Sequence, residues 1–355
     1  MSVNILNIFN QDAFGVISLT NAVNDITTQY GRLGALGLFI DEGIANKVVA
    51  VDFDPITNQL LPQSQWGGPG VANVTKVGRT RGYNIPHFPV NDMILAADLM
   101  SRRRPGSDAI QDAQWLLGKK MREMKIKLDQ TLEWMRLGVL KNGQVKDGAG
   151  NLILDIYNDF GISQTSTSFV TGTSTTDIMG KIALVKRNIL SALRGELMTG
   201  FVALCSDGFY DALVSHPNVK AAFTYFQNPN GQTLAGDYSG AGAFPNAAGL
   251  VANGNRPFIF GDVAWINYTG AITDSSGASQ PMIDANSAYL FPLGTSVFKT
   301  FYAPADYMET INTEGLPFYA KQKLMDYDKG IEVECQSNPL PICLKPAVVQ
   351  KLTTS

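Results

Sequence analysis

Histidine is nearly absent from this sequence. His87 and His216 are the only two among 355 residues, and cysteine occurs three times. Catalysis by a triad, or by a bound metal, needs such groups to converge in one pocket. Here His87 is enclosed by Pro86 and Pro89, which impose extended backbone, and His216 precedes Pro217 between two expected helices. Both read as structural residues. Cys205, Cys335 and Cys343 are odd in number and widely spaced, so a disulfide framework is not expected and the three read as reduced core thiols. The interval from Cys335 to Cys343 is broken by Pro339 and Pro341 and holds no histidine, so no zinc site is expected there.

Other absences narrow the function further. With 28 Lys and Arg against 31 Asp and Glu, the net charge of -3 lacks the basic footprint of a nucleic-acid-binding protein. No apolar run is long enough to cross a membrane. The opening MSVNILNIFNQDAF has neither a basic start nor a continuous apolar core, so no secretory signal is read and synthesis in the cytoplasm is expected. Gly67, Gly68 and Gly70 are not followed by GK[ST], which makes them a hairpin tip and not a phosphate loop. Asp306, Glu309 and Glu314 have no neighbours that would drive their pKa values apart, so a glycosidase pair is rejected. The expectation is a protein with no catalytic residues, no metal and no cofactor.

What is present is patterned. Residues 1–44 carry short apolar patches, among them Phe9 and Phe14, and then GRLGALGLFIDEG, a composition suited to an arm that needs a surface elsewhere. Residues 45–92 read as a long hairpin. Val49, Val51 and Phe53 alternate with polar or small residues, QSQWGGPG forms the tip around Trp66, and VANVTKVGRTRGYNIPHF, with Arg79 and Arg81, returns. From Ser107 to Leu140, the residues Leu117, Met121, Met124, Leu128, Leu132, Met135 and Val139 form one helical stripe, with Lys119, Lys120, Arg122, Lys127 and Glu133 on the other face. A helix of that length is a spine. Arg102, Arg103 and Arg104 just before it form the one tight basic cluster, suited to phosphates or a neighbour's carboxylates.

Asn142-Gly143 and Asp147-Gly148 mark turns of a second hairpin, in which Leu152, Leu154 and Ile156 alternate. A second amphipathic helix is expected over Asp177 to Leu193, with Ile178, Ile182, Val185 and Ile189 inward and Thr175 or Thr176 as its cap. Then come a strand at FVALC and two short helices, the first capped by Ser206 and the second opened by Asn218. A mobile loop is expected between Gly231 and Gly254, and strands from Arg256 onward. The class is α+β.

Several of these segments, in order, are similar to the phage lambda major capsid protein family. They are Asp12-Ala13-Phe14, Ser18-Leu19-Thr20, Gly31-Arg32-Leu33, Ile85-Pro86-His87-Phe88, Thr131-Leu132-Glu133-Trp134-Met135-Arg136-Leu137-Gly138 and Leu154-Asp155-Ile156-Tyr157-Asn158-Asp159-Phe160-Gly161. Tyr289-Leu290-Phe291-Pro292-Leu293-Gly294, Tyr302 to Thr310, and Leu316 to Lys321 complete the set. The resemblance implies an HK97-like capsid fold: an N-terminal arm (1–44), an extended loop (45–92), a peripheral domain with spine helix 107–140 and a β-hairpin (93–170), an axial domain (171–315), and strands returning to the peripheral domain (316–355). It implies hexamers and pentamers of this chain in the icosahedral shell of a virion, enclosing double-stranded DNA without reading its sequence. Portal, scaffold and decoration proteins are the implied partners. Phe9, Phe14, Trp66, Arg79, Arg81, Arg102, Arg103 and Arg104 are the expected subunit contacts. An encapsulin-type nanocompartment of the same fold is the alternative, and no lysine–asparagine cross-link can be assigned from these motifs.

Overall fold

In a computed structural model, residues 16–25, 32–53, 66, 79–99, 113–226 and 257–355 are described. The expected helix start at Ser107, the Gly231–Gly254 loop, Phe9, Phe14 and Arg102 to Arg104 lie outside them.

The spine helix runs Ala113–Asn142, 30 residues, or about 45 Å at 1.5 Å per residue. Along its first half only one face is covered. Leu117, Met121, Met124 and Leu128 pack on Ile94, Phe318, Ala320, Ile331, Val333 and Cys335. Those six side chains belong to or border an antiparallel sheet in which Gly330–Ser337 lies between Phe88–Leu95 and Tyr319–Leu324. The inward set Ile331, Val333, Cys335 alternates with Glu332 and Glu334, and these face Lys323 and Lys321 across the ladder. Strand alternation thus separates a greasy face under the helix from a charged face on the other side.

Along its second half the helix is enclosed on nearly every side. Leu132, Met135, Leu137, Val139 and Leu140 all enter the larger core. Glu133, expected on the solvent face, is buried with them. The sequence stripe marks the one face shared by both halves, and it cannot register that a second layer closes over the helix after Leu128. Enclosure forces the polar groups there to find partners. Glu133 accepts from Leu33 N at 2.9 Å and from the Tyr268 hydroxyl at 2.6 Å. Arg136 donates to Asp41 at 2.6 Å and to Thr300 Oγ1 at 2.9 Å, with its guanidinium 5.2 Å from the Phe39 ring centre. Gly138 completes the motif, because a Cβ there would collide with Gln144 O.

The helix ends at Gly143, which takes φ 63°, against the Tyr157 ring, where a side chain would collide. Beyond it Gln144–Lys146 pairs with Leu152–Asp155, as the turn signals predicted. Ile156 leaves the strand pattern and opens a short helix, Ile156–Phe160. Asp155 caps it by accepting from Asn158 N, Gly161 ends it in the left-handed region, and the Tyr157 hydroxyl donates to Pro346 O at 3.1 Å.

The larger core surrounds a six-stranded mixed sheet in the order Ser166–Ser168, Gln350–Thr353, Ser287–Leu293, Gly200–Cys205, Val263–Asn267, Phe258–Phe260. All seven residues of Ser287–Leu293 are buried, as a strand covered on both faces requires. Helix Ile178–Leu193 presents Ile178, Ile182, Val185 and Ile189 to this core as predicted. Its cap is Asp177, accepting from Gly180 N at 2.9 Å, and neither threonine; Thr176 Oγ1 instead donates to Val170 O. Ser206 caps Asp207–Ser215 as expected. The following helix starts at Pro217, one residue earlier than predicted, since proline suits a first helical position and His216 supplies the cap.

A third sheet joins Ile40–Gly43, Phe298–Tyr302 and Pro339–Cys343. The C-terminal stretch from 316, expected to return whole to the sheet beneath the spine, therefore divides. Tyr319–Leu324 and Gly330–Ser337 return there, Pro339–Cys343 joins the third sheet, and Gln350–Thr353 joins the six-stranded one. Val48–Phe53 pairs with Arg79–Asn84 as the base of the long hairpin, with Val49 and Val51 buried and Val48 exposed.

Leu128→Asp places an unpaired carboxylate at a buried position, a cost of several kcal/mol comparable with the stability of a whole domain. The variant is expected to yield no soluble folded protein on expression at low temperature, and soluble variant with wild-type circular dichroism would place the stripe wrongly. Glu133→Leu removes the buried acceptor of the Leu33 amide and of the Tyr268 hydroxyl and is expected to cost about 2 kcal/mol in urea denaturation. Glu133→Gln, which keeps an acceptor oxygen, is expected to recover most of that loss.

Candidate functional site

Reactive groups are built into the framework. His87 Nδ1 donates to Asn338 Oδ1 at 2.8 Å, and its other nitrogen lies 3.8 Å from Asp306. His216 is buried; its Nε2 donates to Thr173 O at 3.0 Å and its Nδ1 accepts from Asn218 N. Each histidine joins segments far apart in sequence. The three cysteines are free and buried. Burial pushes the thiols of Cys335 and Cys343 up to about 12 and that of Cys205 up as well, which removes thiolate at neutral pH. Glu309, nearly unburied, is held below the usual carboxylate range by its hydrogen bond to Lys321, at 2.7 Å, while Asp306 accepts from Gln336. Among the described residues no cluster of three His, Cys, Asp or Glu side chains could hold a metal, and no helix is long and apolar enough to cross a membrane.

The informative features are surfaces. Trp66, at the expected hairpin tip, is fully exposed. Arg79 lies in the returning strand opposite Phe53. Arg81 has a partner within the chain that the sequence did not reveal: it pairs with Asp159 at 2.7 Å and lies 6.0 Å from the Phe160 ring centre. The root of the hairpin is thus tied to the Leu154–Gly161 motif, which explains why an aspartate and an aromatic ring occur together there. The arm is tied as well. In helix Val16–Asp25, Leu19, Thr20 and Val23 are buried, and the Thr20 hydroxyl accepts from Ala320 N. Lys125, on the spine, donates to Val23 O and Asn24 O at the helix C-terminus, where a cation opposes the negative end of the helix dipole. Burial lowers the pKa of Lys125.

Sequence reading missed a second group of exposed apolar side chains. Met308 is 84% exposed on a short loop held rigid by Thr310 Oγ1, which donates to Ala305 O and lies 3.0 Å from Tyr307 O. Ile311 and Leu316 are exposed on the same loop, and Leu197 is 87% exposed after the Ile178–Leu193 helix. Single apolar residues in loops carry no periodicity, so no pattern could have flagged them. A rigid loop that presents methionine and isoleucine outward is suited to a contact with another molecule.

Comparison with known proteins agrees with a chain built for contacts. Residues 15–354 match the family model described as Phage major capsid protein E. The chain is 26% identical to the major capsid protein of Pseudomonas phage KPP10, over 96% of this chain and 97% of that one. It is likewise 26% identical to the major capsid protein of Salmonella phage Felix O1, over 95% of each. Its fold is similar to a crystal structure assigned to a prophage capsid protein of E. coli CFT073, with a TM-score of 0.58 at 14% identity, covering 96% of this chain and 99% of that one. The architecture is therefore an α+β, HK97-like capsid fold. Because one family model spans the spine motif, the hairpins and all three sheets, the chain belongs to the Phage major capsid protein E family.

Proposed function

We propose that this chain is the structural subunit of a tailed-phage head, assembling as hexamers and pentamers into an icosahedral shell around double-stranded DNA, with no reaction of its own. The observation that carries this reading is Trp66. It is fully exposed, in the segment that joins two paired strands fixed to the body by Val49, Val51 and the Arg81–Asp159 pair. An aromatic side chain held there has no use in a monomer, and aromatic side chains are favoured anchors of protein interfaces.

In this reading residues 1–44 are the arm, 45–92 the extended loop, 93–170 the peripheral domain and 171–315 the axial domain. Phe9, Phe14, Trp66, Arg79 and Arg102 to Arg104 meet neighbouring subunits, and Arg81 does so while also fixing the hairpin root. Portal, scaffold and decoration proteins are the further partners, and the chain is made in the bacterial cytoplasm before it enters the virion.

Replacing Asn58 to Val71 by a short Gly-Ser turn tests the reading. Loop closure depends only weakly on length, so the unassembled variant is expected to keep the wild-type circular dichroism and melting temperature. Electron microscopy is expected to show no stable particles. Normal particles from the shortened chain would refute the role given to Trp66, and loss of the folded subunit would place the hairpin in the core.

A further inference from the structure

The second half of the spine helix forms the floor of an open groove of about 680 Å³. Its walls are two hairpins, Gln144–Lys146 with Leu152–Asp155 and Ala271–Thr273 with Ser279–Pro281. Their tips are joined where Ser275 N donates to Gly148 O at 2.9 Å. The groove is therefore a fixed shape.

The charges in its lining that lack an ion-pair or hydrogen-bond partner among the described residues are positive. Asp147 lines the wall, yet its oxygens are engaged by Ala149 N, Asn151 N and Asn151 Nδ2. Asp274 is engaged in the same way by Ser276, Ala278 and Gln280. Lys141, in the floor, is held by Asp284 at 2.6 Å. Lys127 and Lys146 line the groove, are exposed, and have no ion-pair partner among the described residues. At the tip, a side chain added at Gly148 or Gly150 would meet nothing within 4 Å, so the wall there is open to close approach by another backbone.

We propose that this groove takes the sugar–phosphate backbone of nucleic acid, which makes it the part of the subunit that faces the enclosed DNA. The inference rests on the shell reading and deepens it. Ammonium groups at Lys127 and Lys146 with no ion-pair partner among the described residues match a polymer of repeated phosphates, and contacts to phosphate position a strand without reading its sequence. On a chain of net charge -3, two such contacts hold DNA weakly, and the effect grows with the number of copies.

The test compares the full wild-type chain with Lys127→Glu/Lys146→Glu and with Lys127→Gln/Lys146→Gln. Fluorescence anisotropy follows a labelled duplex of roughly 20 base pairs across a KCl series, with poly-glutamate as a second ligand, while electron microscopy scores particles. The charge-reversed pair is expected to bind the duplex at least about tenfold more weakly, with the log–log salt slope reduced by about 2 and the neutral pair in between. Particle formation is expected to be unchanged. Unaltered affinity and slope with normal particles would overturn the groove assignment and leave the shell reading standing. Poly-glutamate bound as tightly as the duplex would also overturn it, by making an acidic polypeptide the occupant. Absence of particles from the wild-type chain would overturn the shell reading instead.

Discussion

Everything in this subunit hangs on the enclosure of Glu133 and Arg136. Two charged residues on the covered side of a helix must be satisfied completely, because an unpaired buried charge costs several kcal/mol. Meeting that demand joins the arm-side Leu33 amide, Asp41, Thr300 and Tyr268 to one turn of the spine. Leu33 lies in a short helix, Asp41 and Thr300 face each other on adjacent strands of one sheet, and Tyr268 directly follows a strand of the six-stranded sheet. The hydrophobic core alone would tolerate sliding between layers, whereas hydrogen bonds of 2.6 to 2.9 Å at these positions set one register. The glycine two residues on lets the second hairpin return directly against the helix.

Around that fixed knot the periphery is attached by fewer and more polar contacts. Lys125 and Thr20 hold the arm helix, and Arg81 holds the root of the long hairpin. Each is a local tether on an element that leaves apolar or aromatic surface uncovered. A rigid centre with tethered, unsatisfied extensions is the arrangement a shell subunit needs. On the proposed function the centre folds before assembly and the extensions gain their burial from neighbours, each apolar side chain contributing roughly 1.5–3 kcal/mol when fully covered.

Much of this was legible in the sequence. The spine, the second helix, both hairpins and the Ser206 cap follow from periodicity and turn residues, since those signals are local. Three things were not. The stripe puts Glu133 on the solvent face, because helical periodicity cannot report a second packing layer. The sequence offers Thr175, Thr176 and Asp177 as caps, since both residue types serve, and the structure uses Asp177 while Thr176 bonds to Val170 O. The splitting of the C-terminal strands among three sheets depends on long-range pairing that alternation does not encode. At the surfaces, Trp66 stood out by its glycine-rich setting, while Met308 and Leu197 had no pattern to mark them.

The central claim is that the subunit folds around its spine alone and completes its surfaces only by joining copies of itself. Hydrogen–deuterium exchange on the unassembled chain and on purified particles tests it most directly. The account predicts that amides from Leu128 to Asn142 exchange slowly and equally in both states, while the hairpin around Trp66 and the Met308 loop become protected only in particles. Equal exchange of hairpin and loop in both states, or strong protection of the spine that arises only on assembly, would contradict it.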